Sequence, residues 1–205
     1  MKKVKFLAML MFAMSACFAF TACSDDDDDD GGGSGGGNGV FTVTGGTSKS
    51  GLNYGTWHLE DAGMQNSFYS MEFYTFDIYS ALTNGDYGAM SRGFSVVYVD
   101  LYLPAGTPIS GTSLPTGVFS PDKYHVYSAL NISASSEGSE GSNQYEKVSG
   151  TGNGSLVITE NGGKYTVSIA KMTVVDNEGS SNTFYPASFS FTGTMRLFDP
   201  NEFGE

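Results

Sequence analysis

From residue 187 to residue 197 the chain alternates strictly. Ala187, Phe189, Phe191, Met195 and Leu197 fall on one side of an extended strand, with Gly193 in the same row, and Ser188, Ser190, Thr192, Thr194 and Arg196 fall on the other. A period of two is what a strand with one face in a core and one in water requires. Gly193 within the inner row predicts a bend or a neighbour packed close against it. Upstream, residues 155–160 and 164–175 flank Asn161-Gly162-Gly163, whose Asn-Gly step supplies the positive φ angles of a tight hairpin. In the return strand Tyr165, Val167 and Ile169 share a face, but the apolar row then steps to Met172 and Val174. That slip predicts a β-bulge near Ala170 and Lys171.

Residues 94–103 differ because both faces are apolar: Val97, Val99, Leu101 and Leu103 on one, Phe94, Val96, Tyr98 and Tyr102 on the other. Such a strand belongs in the middle of a sheet, and Pro104 ends it. Residues 69–79 read as a further strand, and 55–59, 117–120, 124–128 and 144–148 as weaker ones. Pro104-Ala105-Gly106 and Pro115-Thr116-Gly117 bracket a long turn, Asn84 to Gly88 reads as a short one, and 133–143, rich in Ser, Glu and Gly, reads as a mobile loop. No window keeps a 3.6-residue apolar period. The expected class is all-β: a two-layer antiparallel β-sandwich, jelly-roll or immunoglobulin-like, with a calycin-like β-barrel as the alternative.

The first 39 residues follow another logic. Lys2, Lys3 and Lys5 precede an apolar stretch over 6–20, too short to span a bilayer comfortably, which is the pattern of a secretory leader. Phe20-Thr21-Ala22-Cys23 then resembles the lipobox of bacterial lipoproteins, with Met14-Ser15-Ala16-Cys17 as a second candidate. Ser24 and the six aspartates Asp25 to Asp30 follow Cys23 at once, similar to the surface-export signal of Bacteroidetes lipoproteins. The resemblance implies removal of residues 1–22, acylation of Cys23 and display on the outer face of the outer membrane. Two or three acyl chains, at about 0.8 kcal/mol per buried methylene, hold where one exchanges. Ordinary signal cleavage and free secretion is the competing outcome. The aspartates repel one another and stay solvated. With the Gly-rich run over 31–39 they form a tether whose root-mean-square span is about 20–25 Å. Gly32 to Gly36 matches the G-x-S-x-G pattern of serine hydrolases without the strand and helix that give it meaning.

Residues 40–205 form one domain's worth of chain, long enough to bury a core without covalent staples. It has no cysteine, so disulfides, thiolate metal clusters and a Cys nucleophile are excluded. It carries 16 acidic residues against 7 basic ones, a net charge of −9, and no basic cluster, which argues against nucleic acid as a partner. Three segments are similar to stretches recurring in small surface lipoproteins of gut Bacteroidetes: the turn at 103–107, the hairpin at 154–175 and the strand around Phe191-Thr192-Gly193. That resemblance brings no catalytic residues with it.

Candidate chemistry is sparse. His58 and His125 are far apart in sequence, and each reads more naturally as an ordinary strand or surface residue than as a base. Glu60-Asp61 with Glu72 is the one conceivable carboxylate pair for glycoside hydrolysis, which needs two acids facing each other across a cleft. Asp176-Asn177-Glu178 and Asp199-Pro200-Asn201-Glu202 carry oxygen ligands suited to Ca2+ but are also common turn sequences, so neither a metal nor a cofactor is expected.

The conspicuous surplus is aromatic, with 27 Tyr and Phe residues, several outside the assigned core rows. Tyr74 and Phe76 on one strand, Tyr98 and Tyr102 on another and Trp57 on a third are the candidate ligand-binding rings. If the first two strands were neighbours, these rings could form a platform for stacking sugars, with Glu72 and Asp100 accepting hydroxyl hydrogen bonds. The ordinary alternative is that these faces are covered. Three functions follow: a non-catalytic surface module for polysaccharide, a structural or adhesive subunit docked on another outer-membrane protein, and a hydrolase. The first expects an exposed row of rings, the second an apolar patch or open edge strand, the third converging carboxylates.

Overall fold

The computed structural model describes residues 36–60, 67–84, 93–104, 107, 109–132, 145–150, 152–177 and 183–198. The fold is all-β, with one short α-helix and a 3-10 turn at Pro121–Lys123 among those residues. The strands are β1 Asn38–Val43, β2 Lys49–Ser50, β3 Tyr54–Glu60, β4 Phe68–Tyr74, β5 Phe94–Tyr102, β6 Gly117–Phe119, β7 Tyr124–Ile132, β8 Tyr145–Lys147, β9 Leu156–Asn161, β10 Lys164–Asp176, β11 Phe184–Gly193 and β12 Met195–Leu197; the helix α1 is Ile78–Asn84. All twelve strands belong to one curled sheet, in the order β12-β3-β4-β5-β7-β8-β10-β11-β1-β2, with β9 on β10 and β6 on β9. Every pairing is antiparallel except β12 with β3.

The two ends of this path are linked by covalent chain and by backbone hydrogen bonds. β2 runs through Gly51-Leu52-Asn53 into β3, and Gly37 N donates to Asn53 O at 2.8 Å while Leu52 N donates to Gly39 O at 3.2 Å. At the same place β11 passes into β12. A Cβ on Gly193 would lie 2.4 Å from Gly37 Cα, so the close neighbour that the inner-row glycine implied is the backbone at the start of β1. The alternation there also holds: Ala187, Phe189, Phe191 and Met195 are buried. Leu197 departs from it and is 45% exposed, because the row ends with the three-residue strand β12.

The hairpin forms with Asn161 paired to Lys164, so the two-residue turn is Gly162-Gly163 rather than Asn161-Gly162. Both glycines have positive φ, +60° and +81°, as the tightest hairpin turn demands. Glu160 Oε1 accepts from Gly163 N at 2.6 Å. The register of β10 against β11 slips between Ile169 and Met172, the bulge expected from the apolar step. β5 lies between β4 and β7 with eight consecutive buried residues, as its two apolar faces required.

One face of the sheet carries the main core. Phe73 sits within 4.7 and 4.8 Å of the Phe189 and Phe191 rings, and Phe41, Val97, Val99, Leu101, Ile169 and Val174 are fully buried with it. Fully burying one such ring contributes about 2–3 kcal/mol. The opposite face of β3, β4, β5 and β7 carries a second cluster, Tyr74, Phe94, Val96, Tyr98 and Ala129, capped by Ile78 of α1.

The expected strand over 69–79 is therefore two elements. It ends at Tyr74, and Tyr79 lies in α1. Asp77 starts the helix: its carboxylate accepts from Ser80 N at 2.9 Å and from Ser80 Oγ at 2.6 Å, a side-chain cap. Ile78 and Ala81 are buried. At seven residues α1 is too short to display an apolar period, which is why no period announced it. Residues 85–88 of the turn at 84–88, and the loop at 133–143, lie outside the described residues.

Candidate functional site

Antiparallel pairing sets Glu72 opposite Tyr98, Ser70 opposite Asp100, Tyr74 opposite Val96 and Thr56 opposite Glu72. Since β4 and β5 are neighbours, Glu72, Tyr74, Tyr98, Asp100 and Tyr102 share one face, as the platform required. They are not its exposed surface. Tyr74 and Asp100 are fully buried, Glu72 and Tyr98 are 3% exposed, and only Phe76 and Tyr102 are partly open. Tyr98 stacks on Tyr127 at 4.3 Å, Phe76 packs on Phe94 at 5.0 Å, and Tyr102 packs on Phe68 at 5.2 Å. Trp57 points to the opposite face, buried in the main core 6.0 Å from Tyr69. The rings singled out from sequence are thus packing elements. An amphipathic strand pattern cannot distinguish a face open to solvent from one roofed by a helix.

The acids in this layer are tied down. The Tyr74 hydroxyl donates to Glu72 Oε2, and Ser70 Oγ donates to Asp100 Oδ1 at 2.9 Å. His58 Nδ1 stands 4.0 Å from Glu72 Oε1, and His58 Nε2 is 3.3 Å from Glu60 Oε1. Burial pushes the Glu72 carboxyl above its ordinary pKa, opposed by the nearby His58 and the Tyr74 hydroxyl. Burial likewise raises the phenols of Tyr74, Tyr98 and Tyr127 far above the usual range. At the far end, His125 Nε2 meets Glu146 Oε1 at 3.0 Å, and Asn177 Nδ2 donates to Glu146 Oε2 at 2.9 Å. No three His, Asp or Glu side chains gather as a metal site among the described residues. Asp61, Glu178 and the 199–202 turn lie outside them.

A different arrangement opens beside this layer. A pocket of about 200 Å3 is bounded by Tyr54, Gly55 and Thr56 of β3, by Asp77, Ile78 and Tyr79 at the start of α1, and by Thr194, Met195 and Arg196 where β11 passes into β12. The Arg196 guanidinium lies 3.9 Å over the Tyr79 ring and makes no ion pair with any described residue. Thr56 is 3% exposed, and its hydroxyl has no hydrogen-bond partner among the described residues. That oxygen is sealed from solvent, so the cost of about 1–3 kcal/mol for a hydroxyl without a partner is borne by the fold.

None of these pocket residues was a sequence candidate. Arg196 was a polar position on an alternating strand and Asp77 lay within a supposed one. Only the parallel pairing of Arg196 with Thr56 and the capping of α1 by Asp77 bring them together. No helix among the described residues is long and apolar enough to cross a membrane. No protein-family model, no curated protein and no solved structure matches this chain.

Proposed function

We propose that this chain is an outer-membrane lipoprotein, anchored through acyl chains on Cys23 and facing the cell exterior, whose β body is a non-catalytic glycan-binding module. The observation that carries the binding role is the pocket at β3, α1 and β12. Two tyrosines, the Arg196 guanidinium and the helix-capping carboxylate of Asp77 line one small recess. Rings that pack, together with polar groups that orient, are what polyhydroxyl ligands select.

The acids support a non-catalytic reading. Of the carboxylates considered for hydrolysis, Glu72 is sealed under neighbouring side chains and bonded to the Tyr74 hydroxyl, and Glu60 meets His58, whereas glycoside hydrolysis needs two carboxylates facing a cleft. The exposed large apolar residues among the described ones are Ile109, Val118, Phe184 and Leu197, each from a different segment of the chain. They lend less support to a docking subunit than one gathered patch would. The single hydrogen-bonded path, joined at β1, β3 and β12, favours a calycin-like barrel over a two-layer sandwich.

Two measurements test the proposal. Metabolic labelling with a fatty-acid probe should mark the protein, and a Cys23→Ala variant should lose both the label and its sensitivity to protease added to intact cells. A screen of the purified chain against plant and host polysaccharides should return binding. Silence across the whole screen would refute the binding role.

A further inference from the structure

We propose that the pocket between β3, α1 and β12 takes the single terminal ring of a neutral glycan. This rests on the glycan-binding reading above and specifies its ligand. Three properties of the recess point the same way.

Size comes first. At about 200 Å3 it falls below the roughly 300 Å3 at which pockets for drug-sized ligands begin, so it admits one ring rather than a run of them. Three separate segments bound it: the first strand residues of β3, the helix start and the β11–β12 link. With room for one ring, the recess suits a terminal sugar, which carries one neighbour, better than an internal one, which carries two.

Charge comes second. Asp77 and Arg196 line the same recess, so an anion meets Asp77 and a cation meets Arg196. A neutral ligand offends neither. The domain's net charge of −9 further disfavours an anionic sugar.

Hydrogen-bond polarity comes third. Arg196 can only donate and the Asp77 carboxylate can only accept. Adjacent ring hydroxyls, each a donor and an acceptor, satisfy that mixture. Ser80 already holds both Asp77 oxygens, which fixes the carboxylate in place while leaving lone pairs open. Stacking on Tyr79 restrains the guanidinium in the same way, so little freedom remains to be lost on binding.

The test is calorimetric titration of the purified full chain with free glucose, galactose, mannose, xylose and N-acetylglucosamine, and with glucuronic and galacturonic acids. It continues with oligosaccharides of increasing length that end in whichever ring binds. The expected result is binding of at least one neutral monosaccharide, an affinity that does not grow with chain length, and displacement of the longer ligands by the free sugar. Arg196→Ala should weaken binding by about tenfold or more. Affinity that climbs with each added unit, a preference for the uronic acids, or unchanged binding by Arg196→Ala would overturn the terminal-ring assignment and leave the glycan-binding reading standing. No binding by any mono-, oligo- or polysaccharide would overturn both.

Discussion

Replacing Gly193 by alanine tests the joint at which the ends of the sheet meet. The added methyl would stand 2.4 Å from Gly37 Cα, 3.2 Å from Gly37 N and 3.0 Å from Phe191 Cζ. Two of those atoms are backbone, so the contact cannot be relieved by a rotamer change. It must be relieved by moving the start of β1 away from β11. Overpacking of this kind costs about 1–3 kcal/mol, and a backbone obstacle belongs at the upper end. For a domain of this size that corresponds to a melting temperature lowered by about 4–12 °C. Urea unfolding followed by circular dichroism measures the difference. The matched control is Gly111→Ala, where nothing lies within 4 Å of the new methyl and φ is not positive, and where the change should stay within about 0.5 kcal/mol. Equal stability of the two variants would refute the claim that β1 and β11 are in backbone contact at this point.

Phe73→Ala removes a fully buried ring lodged between Phe189 and Phe191 and should cost about 3–5 kcal/mol by chemical denaturation. Trp57 is the chain's one tryptophan and is 3% exposed, so its emission should be blue-shifted, resist acrylamide quenching and stay unquenched when glycan binds. Because burial raises the Glu72 pKa in the folded state, the native protein holds that proton more tightly than the unfolded chain does. Stability contributed by the neutral form is therefore lost as pH rises from the unfolded value of about 4.5 through the folded one. Glu72→Gln should accordingly gain more stability relative to wild type at pH 7 than at pH 4, and a pH-independent difference would count against burial as the dominant cause. Lys147 Nζ donates to Pro121 O at 2.8 Å and Tyr124 O at 3.1 Å, so Lys147→Met, which strands both carbonyls, should cost about 1–2 kcal/mol in the same unfolding assay.

The strands with an unbroken alternation or a distinctive turn could be read directly from the chain. The two faces of β5, the bulge in β10, the hairpin of β9 and β10 and the inner row of β11 each follow from the order of apolar residues. What could not be read is where distant segments meet. β1 was missed because its six residues adjoin a Gly-rich run that carries no period, and its register is set by β11 from the far end of the sequence. The site suffered in the same way. Tyr74 and Tyr98 were rightly assigned to a common face, but Tyr98 is covered by the Tyr127 ring of β7 and Tyr74 packs in a cluster with Ile78 of α1. The pocket depends on Arg196 lying beside Thr56, a parallel pairing that no local pattern encodes.

Joining early residues to late ones also governs how the molecule assembles. Hairpins such as β3–β4 and β9–β10 can form as soon as their own residues are present. Pairing Phe41 with Phe189 and Gly55 with Met195 must wait for nearly the whole described sequence. Ladders between such remote partners form slowly, because a large loop has to close before any contact rewards it. Until they do, β3 and β11 each present an open edge able to pair with a second chain. Chains that stop short of Met195 leave β3 without its parallel partner, and they should therefore aggregate more on refolding than the full chain does.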